Sequence, residues 1–514
     1  MRNRLGGLAV VLAVAFGSAA CADIGDPSSG TQGGANTNDR SSGGDEGEKL
    51  LTGAMTISPN GKWVIAARSD LTIVVDVKNE TLKEIPLRAD RWVFSKGRDV
   101  AYAMLPNRAG VVAIDLASGE ELWKIMPAFL ATDGATLAKV TNDDKTLVIG
   151  DFERIFFIDT ADGNIRATAK VGPRPVDLEI LPGDQKAVVV GATSWDTGHP
   201  LTPVSLVDLS KATSTSIQIP NCSSPIAVVP GASQAEGSPR VLISPTFCTP
   251  ESSGADAPKG GWTSPDPVSV VDIDQTNNTL TFLKNLPGFG PVAQLGNGKA
   301  VAYLDMKRID ESMFDDKAQI PSKAGPQFHL MTIDPKTLKF ELSPVGNALP
   351  RFAPSKDGHS LLVDASVTMT RSEATAKISF DGSSIKAEVG VFSDASGSLF
   401  GVFDTDTKVY TPFSGAKASL DRFVQTSDGS RVFTLEGEVL GDANLYGVDL
   451  AARSSFDTGR ELRDIGILPD GKTLVLRIRL EMEGRFPREE FCFSTDANTC
   501  SGSVVWTSKV ERRD

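Results

Sequence analysis

A single unit recurs along almost the whole chain beyond residue 50, and it leaves few folds open. A short apolar strand runs into a tight polar turn. A second strand of β-branched residues follows, then a connection, a third strand ending in aspartate, another turn and a fourth strand. The first copy reads 55–59, the turn Asn60-Gly61, then 63–67, 72–76 and 82–86. Asn-Gly between apolar runs is a strong hairpin signal, because both residues accept the positive φ that a primed turn demands. Asp143-Asp144, Asp357-Gly358, Asp428-Gly429 and Asp470-Gly471 hold the equivalent turn in later copies. The third-strand aspartate returns as Asp76, Asp115, Asp159, Asp208, Asp272, Asp334, Asp404 and Asp449, at separations of 39 to 70 residues. These aspartates read as turn residues whose carboxylates accept from backbone N–H groups.

Four strands every 40 to 50 residues or so mark radial repeat architectures. One such sheet cannot bury both faces alone, so neighbours must complete its core and the ring must close. The chain is therefore expected to be all-β, a β-propeller of about eight four-stranded blades over residues 50–514, with seven to nine allowed. Two segments set that range. Residues 464–506 carry the strands and the Asp470-Gly471 turn but show Phe493-Ser494 in place of the aspartate, and 388–404 read as an extra hairpin. Composition agrees: 48 Gly and 30 Pro supply turns for many short strands, and 40% hydrophobic residues suffice for a buried core.

The phrases Val140 to Ile149 and Phe157 to Arg166 resemble the repeats of YVTN-type and related bacterial surface propellers. That resemblance implies a scaffold and says little about activity. Trp-Asp repeats fit poorly, because the Trp195-Asp196 pair lies in an insertion and not at a strand end.

Residues 1–20 read as a secretory signal peptide: Arg2 and Arg4 open it, Leu8 to Phe16 is apolar, and Ser18-Ala19-Ala20 precedes Cys21. The apolar stretch is too short for a comfortable membrane span. The arrangement resembles a bacterial lipoprotein signal, which implies lipidation of Cys21; cleavage at Ala20-Cys21-Ala22 and release as a soluble secreted protein is the alternative. Residues 21–49 read as the lipidated cysteine and a disordered tether of Gly, Ser, Thr, Asn and acidic residues, with a relaxed span of roughly 30 Å. The expected address is the bacterial cell envelope, with the membrane reached through the N-terminal lipid.

Five cysteines are an odd number, and Cys21 is the natural one to leave unpaired. Cys222 with Cys248, and Cys492 with Cys500, read as two structural disulfides suited to an oxidising compartment. The formal charge of −13 and the lack of a basic run argue against nucleic acid.

If strands A to D of each blade run from axis to rim, the B–C and D–A connections share one face. The long insertions 194–203, 246–267, 305–327 and 368–376 all fall between strands B and C, so they decorate that face. Loops on a rigid scaffold commonly carry recognition. They bring the candidate partner-binding residues Trp195, His199, Phe247, Trp262, Arg308 and Phe314, beside Asp310, Glu311, Asp315 and Asp316. Aromatics beside polar groups suit a protein or glycan interface; packing beneath their own loops is the alternative.

No catalytic, cofactor or metal set emerges. The three histidines are dispersed, Ser414 to Lys417 matches S-x-x-K without its companion motifs, and Asp272/Asp274, Asp404/Asp406 and Asp496/Asn498 lack a complete calcium loop. The expected function is a binding or scaffold protein that recognises an envelope protein or polysaccharide through one propeller face. The alternative is a propeller enzyme, lactonase-like or another hydrolase, with its site at the axial channel.

Overall fold

The second strands of the repeat are continuous apolar runs, such as Trp63–Ala67 and Val100–Met104, and both are buried along their whole length. Such a run needs cover on both faces, which a lone sheet does not supply. Fourth strands such as Ile165–Lys170 and Ser454–Leu462 alternate exposed with part-buried residues, as expected of an outer edge facing water. The computed structural model describes residues 55–507, apart from connecting stretches at 69–70, 90, 106–109, 126–136, 197–198, 221–225, 234–237, 245–266, 308, 348, 368–377, 381–384, 388–399, 414–419, 421, 437–442 and 484–485.

Nine antiparallel blades form, spanning 55–85, 91–125, 137–170, 175–219, 226–286, 289–346, 349–412, 423–462 and 464–507. This is the upper end of the expected range, because 464–507 is a full blade. Its turn carboxylate has moved two residues along: Asp496 accepts from the N–H groups of Asn498 (2.8 Å) and Thr499 (2.9 Å). A short hairpin pairs Ile378–Phe380 with Ile385–Ala387 inside the B–C connection of blade seven; of the hairpin expected at 388–404, residues 388–399 lie outside the described residues and Phe400–Asp404 is that blade's third strand.

The turn aspartates behave as read, with one correction. Asp208 accepts from Ser210 (3.0 Å) and Lys211 (2.9 Å), and Asp404 from Asp406 and Thr407 (2.8 Å each). In blade five the third strand runs on to Asp274, which takes Thr276 and Asn277. Asp272 instead faces Arg240 across the ladder and pairs with it at 2.9 Å.

Among the described residues the apolar core divides into nine clusters, each drawn from two neighbouring blades. The ninth joins the ends of the chain, with Met55, Ile57 and Val75 of blade one against Phe491, Phe493 and Trp506 of blade nine. Among the described residues no strand is exchanged across this seam. It is held by Asp464 accepting from the Met55 N–H (2.5 Å), Trp506 donating to Glu84 (2.9 Å) and the Arg68 guanidinium 4.1 Å from the Trp506 ring centroid. Disulfide Cys492–Cys500 braces the last C–D turn. Cys222, Cys248, Cys21 and residues 1–54 lie outside the described residues.

Candidate functional site

An even number of strands per blade sends every B–C and D–A connection to one face, the loop face. The A–B and C–D turns occupy the opposite turn face. The turns bond sideways to one another: Asn60 donates to Asp99 (3.1 Å), the Asp143 N–H to Asp184 (3.0 Å) and the Ser427 N–H to Gly471 (2.8 Å). The turn face is thus a short-looped girdle, whereas the insertions stand on the loop face.

In blade four, strand C begins early, at His199, and its extension pairs with Ser194–Asp196. The register sets Trp195 opposite Pro200 and Asp196 opposite His199, so Trp195 and His199 share one two-stranded arm. In blade six the insertion is closed at its base by Met306 donating to Gln327 (2.9 Å), while Asp305 accepts from the Lys307 N–H (3.0 Å) and the Gln327 amide (3.1 Å). Two single 3-10 turns, Glu311–Met313 and Lys317–Gln319, are capped by Asp310 and Asp316. Glu311 pairs with Lys323 (2.8 Å) and Asp315 with Lys284 (3.0 Å). The acidic stretch is therefore largely spent on shaping its own loop.

Phe314 departs from the expectation of a partner-binding residue. It is buried and packs edge-on against Phe340 at 5.6 Å, within the cluster shared by blades five and six. A large ring finds more apolar cover beneath its own loop than at the surface, so it anchors the insertion. Phe247, Trp262 and Arg308 lie outside the described residues, as do Ser414 and Lys417.

Two features escaped sequence reading. The first is an apolar knuckle between blades three and four. Asp151 pairs with Arg154, which leaves Phe152 and Glu153 as a two-residue turn, and Phe152 takes φ 39°, a place where glycine is favoured. The Arg174 N–H donates to the Phe152 carbonyl, Arg174 itself sits at φ 46°, and the Ala192 N–H donates to the Pro173 carbonyl (2.9 Å). Phe152 stays 47% exposed and Val176 beside this linkage 42% exposed. Left-handed backbone at a bulky residue is an outlier that clusters at functional positions. An apolar residue within a two-residue turn, Asp151 to Arg154, was the signal available.

The second is a charged layer at the loop-face mouth of the axis. The first strands of neighbouring blades lie side by side around the axis. Four residues ahead of Ser95, Leu181, Ser355, Thr426 and Leu468 they carry Arg91, Asp177, Arg351, Arg422 and Asp464, all part-exposed. Several of these charges tie blades together. Asp177 accepts from the Ile226 N–H (2.7 Å), Arg422 donates to the Arg463 carbonyl (3.2 Å), and one layer deeper Lys139 meets Glu179 at 2.7 Å. Burial pushes the Asp464 carboxyl above the ordinary carboxylate range, against the pull of the Met55 N–H and of Arg477 and Arg422.

The acidic pairs weighed as calcium ligands are engaged otherwise: Asp406 meets Lys299 and His359 Nδ1, each at 3.1 Å, while Asp274, Asp404 and Asp496 hold their turns. Among the described residues no three His, Cys, Asp or Glu side chains are grouped to hold a metal ion.

No protein-family model matches the chain, and no curated protein matches it in sequence. Some solved structures resemble it at low identity and with TM-scores below 0.5. They include a eukaryotic initiation factor (TM-score 0.48, 11% identity, 79% of this chain and 87% of that one) and an oligogalacturonate lyase in complex with manganese (0.37, 12%, 77% and 88%). A dihydro-heme d1 dehydrogenase gives 0.41 and 14%, over 70% of this chain and 65% of that one. These likenesses concern fold and carry no functional argument.

Proposed function

We propose that this chain is a lipid-anchored cell-envelope propeller that recognises a protein or polysaccharide partner through its loop face. The supporting observation is the one-sidedness of its decoration. The blade-four arm, the blade-six insertion and the blade-seven hairpin all sit in B–C connections, while the turn face keeps short loops bonded to each other. A rigid ring displaying variable loops at one end is suited to recognition, since the loops lose little freedom on binding. The address rests on the sequence of residues 1–49, with Cys21 as the acylated residue.

The test is crosslinked capture from intact cells, comparing the native protein with a variant whose arm 194–201 is reduced to an Asn-Gly turn and whose residues 246–266 are trimmed. The blade-six insertion is kept, because Phe314 belongs to the core. Partners lost from the folded variant support the reading; capture unchanged by both excisions sinks it. The mass of the mature N-terminus checks acylation of Cys21.

A further inference from the structure

We infer that the loop face looks toward the membrane in which the protein is anchored, and that its partner is a protein of that same membrane. This rests on the anchored reading above. Met55 opens the first strand of blade one, and first strands begin at the loop-face end of the axis; the Asp464 carboxylate holds its N–H there at 2.5 Å. Fourth strands end on the same face, so Gly502–Thr507 also finishes there. The chain between Cys21 and the ring therefore leaves from the loop-face mouth.

Length biases the orientation: residues 22–49 could reach roughly 95 Å if fully extended, but only at the cost of stretching a flexible chain. The composition of residues 22–49 predicts a relaxed span of about 30 Å. Turning the other face to the bilayer would require the tether to cross from axis to rim and descend the rim. Nine sheets about 10 Å apart at the axis, plus three strand spacings of about 4.8 Å, give about 30 Å outward, and a six-residue strand adds about 20 Å, for about 50 Å in all. The direct path needs no such extension, so the unstretched tether favours the loop face toward the membrane.

The partner's chemistry follows from what that face offers. Phe152 and Val176 give exposed apolar contact on a backbone pinned by neighbouring turns, as protein recognition favours. On the blade-six insertion Glu311 pairs with Lys323 and Asp315 with Lys284, while Asp310 and Asp316 cap its turns, so its charges are spent within the protein and supply no net attraction to an anionic headgroup layer.

Blade three provides an internal comparison, because strand Thr146–Asp151 carries Lys145 at its turn-face end and Phe152 at its loop-face end. The full lipidated chain would be reconstituted in vesicles bearing a headgroup acceptor dye, with p-azidophenylalanine in place of Lys145 or Phe152 and a donor dye attached. Stronger quenching at 152 than at 145 is expected, and equal or reversed quenching on membrane-bound protein overturns the orientation alone. An intact-Cys21 protein that does not bind vesicles and carries no acyl mass overturns the anchor and the orientation together. In cells, photocrosslinking from 152 and not from 145 should yield an adduct to an integral protein that survives carbonate washing. An adduct to a glycan or a soluble protein, or none, overturns the partner class.

Discussion

Replacing Phe152 separates backbone strain from side-chain burial. The residue holds φ 39° in a two-residue turn, and its ring is 47% exposed. Left-handed backbone costs an L-residue about 1–2 kcal/mol. Phe152→Ala keeps that cost and loses the partial burial of the ring, about 1 kcal/mol from the 1.5–3 kcal/mol of full burial. Phe152→Gly loses the same burial but relieves the strain, offset by the ~0.5–1 kcal/mol that glycine's freedom costs on folding. The glycine variant should therefore stay within about 1 kcal/mol of the native protein and exceed the alanine variant by about 1 kcal/mol. Urea unfolding followed by tryptophan fluorescence measures the order. Partner capture should fall in both, because both remove the apolar contact. A glycine variant no more stable than alanine, or capture intact in both, refutes the assignment of Phe152 as a strained recognition residue.

Arg240→Leu should cost about 3 kcal/mol or more, because it strands the Asp272 carboxylate beside an emptied site that also bonded the Lys336 carbonyl at 3.0 Å; adding Asp272→Asn should recover part of it, read as urea midpoints. Cys492→Ser should lower stability by about 2–3 kcal/mol through the short loop it opens, and a reducing agent should shift the native protein by more than it shifts this variant. Acid should unfold the ring in a defined window. Asp428 is held at about 2 by the Thr426 hydroxyl and the Ser430 N–H, and Asp496 at about 2 by the Thr499 and Asn498 N–H groups, against an ordinary 3.8. Depressed carboxylates give stability that is present above about pH 4 and lost as pH falls through about 2. Asp464 opposes this trend, since its raised carboxyl takes a proton more readily in the folded ring. Urea midpoints across that range should fall with acid, and less steeply in Asp428→Asn.

The repeat was legible because turns and core strands obey local rules. Gly61, Gly358, Gly429 and Gly471 all take positive φ at the expected turn, with Asp144 doing so in blade three. What failed was counting by a single residue. Asp272 lies two places before the turn because its strand is longer, and blade nine satisfies the same N–H groups from Asp496. The B–C placement of the insertions was readable from strand order alone. The fate of their side chains was not: Phe314 looks like Phe152 in a sequence, yet one is buried against Phe340 in the core cluster and the other held out by a tight turn. The charged axial layer was hidden because its members come from five different repeats, each unremarkable by itself.

The seam between blades one and nine bears on how the molecule is made. Partners such as Met55 and Asp464, or Glu84 and Trp506, stand more than 400 residues apart along the chain. Interior seams join segments made in immediate succession, so an arc of blades can assemble as synthesis proceeds. Met55, Ile57 and Val75 find their cover only when blade nine, 464–507, has been produced. Until then the growing arc shows an apolar flank at each end, open to joining with another copy. Truncation within blade nine should therefore do more than remove one ninth of the ring. It should leave every chain with a permanently open flank, and yield mixed assemblies where the whole chain yields closed rings.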